Sequence, residues 1–98
     1  MKDILEQLNK AFESKARLGI MSVLMVNDYL DFNALKELLQ LTDGNMASHL
    51  KALEDLQYIS VQKQFIGRKP NTTYQATESG KQAFKEHLNA LERLIRGY

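Results

Sequence analysis

The stretch TDGNMASHLKAL, residues 42–53, contains the polar side chains of this sequence that are best placed to bind a ligand. Gly44, Ser48, Lys51 and Asp55 are spaced so that they point to one face of a helix, and Asn45 and Ala52 flank them. Asn pairs with adenine edges, Lys with guanine or phosphate, and Ser with several base edges. The pattern therefore predicts a polar helix surface that can contact nucleic acid.

The opposite face of this helix is apolar. Met46, Leu50 and Leu53 have helical spacing and are expected to face the core, with Thr42 as the N-cap. Gly44 then lies in the first turn on the outer side. A glycine there leaves the helix amides open to a phosphate.

Two residues of the same helix have open interpretations. The charge of Asp43 repels phosphate, so this residue either complements the helix dipole or accepts a hydrogen bond from cytosine; we favour the dipole. His49 lies at the border between the polar and apolar faces. It is expected either to pack partly buried or to contact DNA.

The composition limits the class of protein. The chain has 98 residues and a net charge of +1, so any affinity for nucleic acid must come from a local basic surface. The lack of cysteine excludes disulfides and thiolate ligands, and it fits a cytoplasmic protein. The N-terminal segment lacks a signal-peptide pattern, and the longest mostly apolar stretch, 18–26, is too short to span a membrane.

Helical periodicity comes first along the chain. It covers residues 3–12, 14–26, a short segment after Asp31 or Asn33, and 43–56. Only a few residues separate the last two segments, as in a helix-turn-helix. Alternation at 58–62 and 72–77 then predicts a hairpin.

The tip of that hairpin, 63–71, is basic. It contains Lys63, Arg68 and Lys69. Between residues 44 and 75 there are four Lys or Arg residues and only two acidic residues, Glu54 and Asp55. A hairpin of this charge suits the DNA backbone or the minor groove. We refer to residues 63–71 as the wing.

A last helix is predicted from Thr77 to about Arg96. Its apolar residues follow the spacing of a coiled-coil seam, and the first helix has an apolar stripe of its own. Together these stripes exceed what one small core needs, which predicts a homodimer. The predicted dimer contacts are Ile4, Leu5, Leu8, Phe84, Leu88, Leu91 and Ile95, with Tyr98 at the end of the seam.

The predicted fold is mostly α with a small β-hairpin: a winged helix-turn-helix with additional N- and C-terminal dimerisation helices. Residues 1–98 are expected to form one domain, with 1–12 and 78–98 contributing to dimerisation. The predicted DNA contacts are Thr42, Gly44, Asn45, Ser48, His49, Lys51, Lys63, Arg68 and Lys69.

The segments LTDGNMASHLKALEDLQYI and TESGKQAF, on either side of the basic hairpin, resemble winged-helix transcriptional regulators of the ArsR and MarR type. The similarity is greatest to the small single-domain winged helix DNA-binding family of bacteria and archaea. Upstream, SKARLGIMSVL and DFNALKELLQ resemble that group's preceding helices, so the likeness spans roughly residues 12–91. It implies repression by blocking promoter access, although the sequence does not separate a repressor from an activator.

Other functions have less support in the sequence. It contains no phosphate-binding loop, convergent carboxylate pair or nucleophile motif, so we expect no enzyme activity and no cofactor. A four-ligand metal site is not expected, because His87 lacks suitably spaced partners. The remaining alternatives are a winged-helix protein-interaction module without DNA and a ligand-responsive sensor, for which His87 is the only sign. Our prediction is a homodimer that binds a pseudo-palindromic double-stranded operator with helix 43–56 in the major groove; its effector is unknown.

Overall fold

The computed structural model describes residues 2–97. These residues form five α-helices and three β-strands, and a short 3-10 helix at Lys10–Glu13 follows the first helix. The elements are α1 (Lys2–Gln7), α2 (Lys15–Met25), β1 (Leu30–Asp31), α3 (Phe32–Leu39), α4 (Asp43–Asp55), β2 (Ile59–Ile66), β3 (Lys69–Ala76) and α5 (Glu78–Arg96).

Side-chain caps begin four of the helices where the sequence predicted them. Ser14, Asp31, Thr42 and Thr77 each accept a hydrogen bond from the backbone N–H three residues later, at 2.8–3.3 Å. A cap of this kind satisfies an amide that would otherwise lack a partner inside the helix. The start of α4, and so the direction of its outer face, follows from Thr42.

One apolar core lies around α2. Leu35 of α3, the predicted apolar face of α4, Ile59 of β2 and Phe84 of α5 all contribute to it. The predicted inward residues of α4 are confirmed, since Met46 and Leu53 are fully buried and Leu50 is 3% exposed. The core therefore holds α4 by one face and leaves its other face toward solvent.

The hairpin is longer than predicted. β2 and β3 pair antiparallel from Ile59–Ala76 to Ile66–Lys69, so only Gly67 and Arg68 form the turn. The prediction that residues 63–71 form a long tip between two short strands was therefore wrong in its length, although the hairpin itself is present. Gly67 has a φ of 65°, the left-handed conformation that short hairpin turns require. Exposed residues of mixed polarity on both faces of the outer hairpin hid the alternation that marks strands.

The sheet has a third strand that the sequence did not predict. Leu30 pairs with Tyr74 and Asp31 with Thr73, which places β1 beside β3 in the order β1-β3-β2. A strand of two residues is too short to show a period of two. Asp31 pairs in this strand and also caps α3.

The first helix is shorter than the predicted segment 3–12. It ends at Gln7, because Asn9 forms three hydrogen bonds that a continuous helix would not allow. The Asn9 side chain accepts from the Ala11 amide and donates to the Tyr58 hydroxyl, both at 2.9 Å. Its own amide donates to Nδ1 of His87, also at 2.9 Å.

The start of α5 packs against the end of α4 at a corner formed by residues 57–58 and 77–80. Thr77 and Ser79 donate hydroxyl hydrogen bonds to the carbonyl of Gln57, which has a φ of 63°. The Thr77 amide donates to the Tyr58 carbonyl at 3.0 Å, and Gly80 is buried directly against that carbonyl. These contacts fix the direction of α5 relative to α4.

Candidate nucleic-acid interface

The outer face of α4 is exposed and polar. Gly44, Asn45, Ser48 and Lys51 all lie on it, and Thr42 is exposed at its start. A Cβ atom added to Gly44 would meet nothing within 4 Å, so the first turn is open on this side. His49 is half-buried, in agreement with its border position. DNA contact by these residues stays a prediction.

The charge of Asp43 is balanced by a neighbouring helix. Lys36 of α3 places its Nζ atom 2.6 Å from the Asp43 carboxylate. Asp43 also lies in the first turn of α4, where a negative charge complements the helix dipole. Both features reduce its repulsion of phosphate, and they agree with the interpretation that we favoured from the sequence.

Lys51 is bound to carboxylates of its own helix. Its Nζ atom lies 3.1 Å from Asp55 and 4.0 Å from Glu54. The hydrogen bond to Asp55 and the charges of both carboxylates raise the pKa of Lys51. Contact with a phosphate would exchange one anionic partner for another. The i,i+4 spacing of Lys51 and Asp55 was the sequence signal for this pair.

The wing cations have no such partners. Within residues 2–97, no carboxylate lies within 4 Å of the side-chain nitrogens of Lys63, Arg68 or Lys69. All three side chains are exposed. Their positive charge is therefore available to an external anion.

A cleft of about 210 Å³ connects α4 with the base of the wing. Lys51 and Glu54 line it from the helix, and Val61, Lys63 and Tyr74 line it from the sheet. Burial and the nearby Glu54 charge raise the pKa of Tyr74, so its hydroxyl stays protonated at neutral pH. Of the predicted DNA contacts, Lys51 of the helix and Lys63 of the wing thus border the same cleft.

Residues 2–97 contain, in this order, a helix-turn-helix unit, a hairpin wing and a long closing helix, which are the elements of a winged helix. Residues 16–95 match the model of the winged helix DNA-binding domain family. The chain belongs to this family. The assignment agrees with the resemblance found in the sequence and with the predicted fold class.

Two individual relatives are similar over most of this chain. An uncharacterized protein of Methanocaldococcus jannaschii is 38% identical over 87 residues, which cover 89% of this chain and 95% of the relative. A transcriptional regulator homologue of Pyrococcus horikoshii is 30% identical, with a TM-score of 0.89 over 99% of this chain and 97% of the other.

A more distant winged helix has been solved on DNA. A mutant form of E. coli MarR in complex with operator DNA has a TM-score of 0.73 at 11% identity and matches 97% of this chain and 70% of its own. This likeness concerns the fold. The family match and the fold together make this chain a winged-helix protein of the transcription-regulator type.

The predicted dimer residues fall into two groups. Leu5, Leu88 and Ile95 are exposed, with 52%, 42% and 85% of their surface accessible, and Leu8 and Leu91 are half-buried. Ile4 and Phe84 differ from the expectation: both are at most 3% exposed within the chain, because α1 packs against α5 and the ring of Phe12 packs edge-on against Phe84. Their surface is not open to a partner. Tyr98 lies outside the described residues.

His87, the only residue that hinted at a ligand, is buried within the chain. It is 4% exposed, packs 5.5 Å from the Phe12 ring and accepts the Asn9 amide through Nδ1. Residues 2–97 contain no group of three or more His, Cys, Asp or Glu residues that could hold a metal ion. In that same range, no helix is long and apolar enough to cross a membrane.

Acid should destabilise the fold through His87. Burial lowers its pKa below the usual 6.5, opposed only by the charge of Glu13, so the unfolded chain binds this proton more tightly. Protonation would also turn Nδ1 into a donor facing the Asn9 amide. We expect the free energy of unfolding to fall as the pH drops below about 6.5, by at most about 1.4 kcal/mol per pH unit from this group.

Chemical unfolding between pH 7.5 and 5 tests this expectation. His87→Gln keeps an acceptor for the Asn9 amide but cannot be protonated in this range. The variant should show a flatter pH dependence than the wild type. An equal slope in both proteins would assign the acid sensitivity to other groups.

Proposed function

We propose that this chain is a homodimeric, sequence-specific DNA-binding regulator that represses transcription by blocking promoter access. The observation that carries the proposal is the exposed polar face of α4 together with the unpaired cations of the wing, with Lys51 and Lys63 lining one cleft between the helix and the hairpin. Membership of a DNA-binding family supports it, as does the operator complex of the MarR relative.

In the proposed complex, α4 lies in the major groove. Asn45, Ser48 and Lys51 face base edges, and the helix start at Thr42 and Gly44 lies at a phosphate. The half-buried His49 contacts the groove wall. Lys63, Arg68 and Lys69 follow the flanking backbone or the minor groove.

Two copies of the chain complete the proposed regulator. Each chain acts as one domain, and the exposed apolar residues of α1 and α5 meet their mates across a two-fold axis. Symmetry then places the two α4 helices about one helical turn apart on a pseudo-palindromic operator.

Selection of bound duplexes from a random DNA pool tests the function and the half-site spacing together. With the selected duplex, Lys51→Ala, Arg68→Ala and Lys69→Ala should each weaken binding. The two wing variants should lower the slope of log affinity against log salt by about 1 each, because each removes one phosphate contact.

Lys10→Ala is the matched control, because Lys10 is exposed beside the polar groove between α1 and α5 and lies outside the proposed surface. Its affinity and salt slope should equal those of the wild type. Unchanged binding in all three interface variants would refute this location of the interface. Weak, salt-independent binding would favour a protein-interaction module.

A further inference from the structure

Two large apolar side chains lie at the exposed end of the wing. Phe65 and Ile66 are 74% and 63% exposed, and they are the last residues of β2 before the Gly67 turn. Isolated exposed apolar residues are common on protein surfaces. Here they are adjacent, and the exposed ring of Pro70 pairs with Phe65 across the hairpin. The tip therefore carries exposed apolar side chains that the core does not cover.

The two side chains belong to opposite faces of the hairpin. Successive residues of a strand alternate between faces. Ile59 is buried in the core, and Val61 and Lys63 line the cleft beside α4. Phe65 continues this inner face toward the tip. Ile66 is on the outer face, where its cross-strand partner is Lys69.

The charge around Phe65 indicates which partner fits. Lys63 lies two residues before it on the same face, and Arg68 and Lys69 follow it around the turn. A second copy of the tip would bring these cations against their own counterparts, which is unfavourable. A polyanion with an apolar interior, such as a DNA duplex, satisfies both the charges and the ring.

We propose that Phe65, backed by Pro70, enters the minor groove as an apolar wedge while the wing cations contact the adjacent phosphates. The inference rests on the DNA-binding function proposed above. Apolar side chains that enter this groove partly unstack a base step and bend the duplex. Through this deformation the wing would favour flexible steps, such as TA, beside the bases that α4 contacts.

The test uses the duplex selected from the random pool, with 2-aminopurine substituted in turn at each adenine of the flanks. Wild-type protein should increase the 2-aminopurine fluorescence at one flanking step, and Phe65→Ala should abolish the increase. Phe65→Ala should also weaken binding on the order of tenfold, because a ring of this size becomes shielded from water when the complex forms. Its salt slope should stay at the wild-type value, since no phosphate contact is lost.

Ile66→Ala is the matched control, because it removes an equally exposed apolar side chain from the other face. It should keep the fluorescence increase and the affinity. Wild-type-like fluorescence and affinity in Phe65→Ala would overturn the wedge while leaving DNA binding intact. Equal losses in Phe65→Ala and Ile66→Ala would overturn the assignment to the inner face. Failure of the wild type to bind any duplex would instead refute the proposed function itself, and the wedge with it.

Discussion

Gly80→Ala should destabilise the folded chain by about 3 kcal/mol, near the upper end of what overpacking costs. A Cβ atom at this position would overlap the carbonyl oxygen of Tyr58 and lie 2.8 Å and 2.9 Å from the carbonyl carbon and the Cα of the same residue. All three are backbone atoms, so no side chain can rotate away. The same carbonyl also accepts the Thr77 amide, so relief of the overlap would strain the start of α5.

Urea unfolding followed by circular dichroism measures this effect, and Gly44→Ala is the matched control. Gly44 is also in the first turn of a helix, but an added Cβ would meet nothing there. Alanine at that position should leave stability unchanged or raise it by up to about 1 kcal/mol, because alanine favours helix. Equal urea midpoints for Gly80→Ala and Gly44→Ala would show that the backbone around Tyr58 shifts to accommodate the added methyl group, which would contradict the prediction.

Leu88→Glu should dissociate the proposed dimer. Leu88 is 42% exposed on α5, beside Leu91 and in the same stripe as Ile95. Full burial of a leucine contributes about 1.5–3 kcal/mol, and a dimer could bury only the 42% of Leu88 that the single chain leaves exposed, although two-fold symmetry counts it twice. The dissociation constant should therefore rise at least roughly tenfold. The added carboxylate would also lack a partner in an apolar seam, which increases the loss.

Light scattering over a range of protein concentrations measures the mass, and Asn89→Glu is the control. Asn89 is exposed beside Leu88, but it lines the polar groove that contains Glu86 and Arg93 and not the apolar stripe. This variant should remain dimeric with the same added charge. A dimer that persists in Leu88→Glu would place the contact elsewhere on the chain. Because Leu88 is partly exposed, circular dichroism should show that the monomer stays folded.

The helix starts could be predicted because their signals are local. A Ser or Thr before an apolar period is enough to indicate Ser14, Thr42 and Thr77, since the cap bonds to an amide only three residues away. For α3 the same signal left two candidates, Asp31 and Asn33, of which Asp31 is the cap. The inward face of α4 follows from its period. The order of the elements then gave the fold class.

The remaining differences depend on contacts distant in sequence. The end of α1 is determined by Asn9, whose partners Tyr58 and His87 are 49 and 78 residues away. The strand β1 exists only because Tyr74 and Thr73 lie beside it. No local pattern contains these pairings.

The candidate DNA and dimer surfaces were predictable only in part, again because some of the contacts that define them are distant in sequence. Exposure of the polar residues on α4 follows from the apolar residues opposite them. By contrast, the apolar stripe of α5 does not show which of its members face the chain's own core. Phe84 is buried there because Phe12 lies edge-on against it, with ring centroids 5.2 Å apart.

The corner that joins Gln57 and Tyr58 to the start of α5 determines where a hinge could lie in a two-fold assembly. Two hydroxyl bonds to one carbonyl, an amide bond to the next and a buried glycine connect the segment after α4 to the start of α5, so we expect the two helices to move together. In the proposed dimer, a change in the distance between the two α4 helices would then occur at the seam between protomers or by bending within the nineteen residues of α5. An effector that adjusts DNA affinity through this distance should accordingly bind near the seam and far from the DNA.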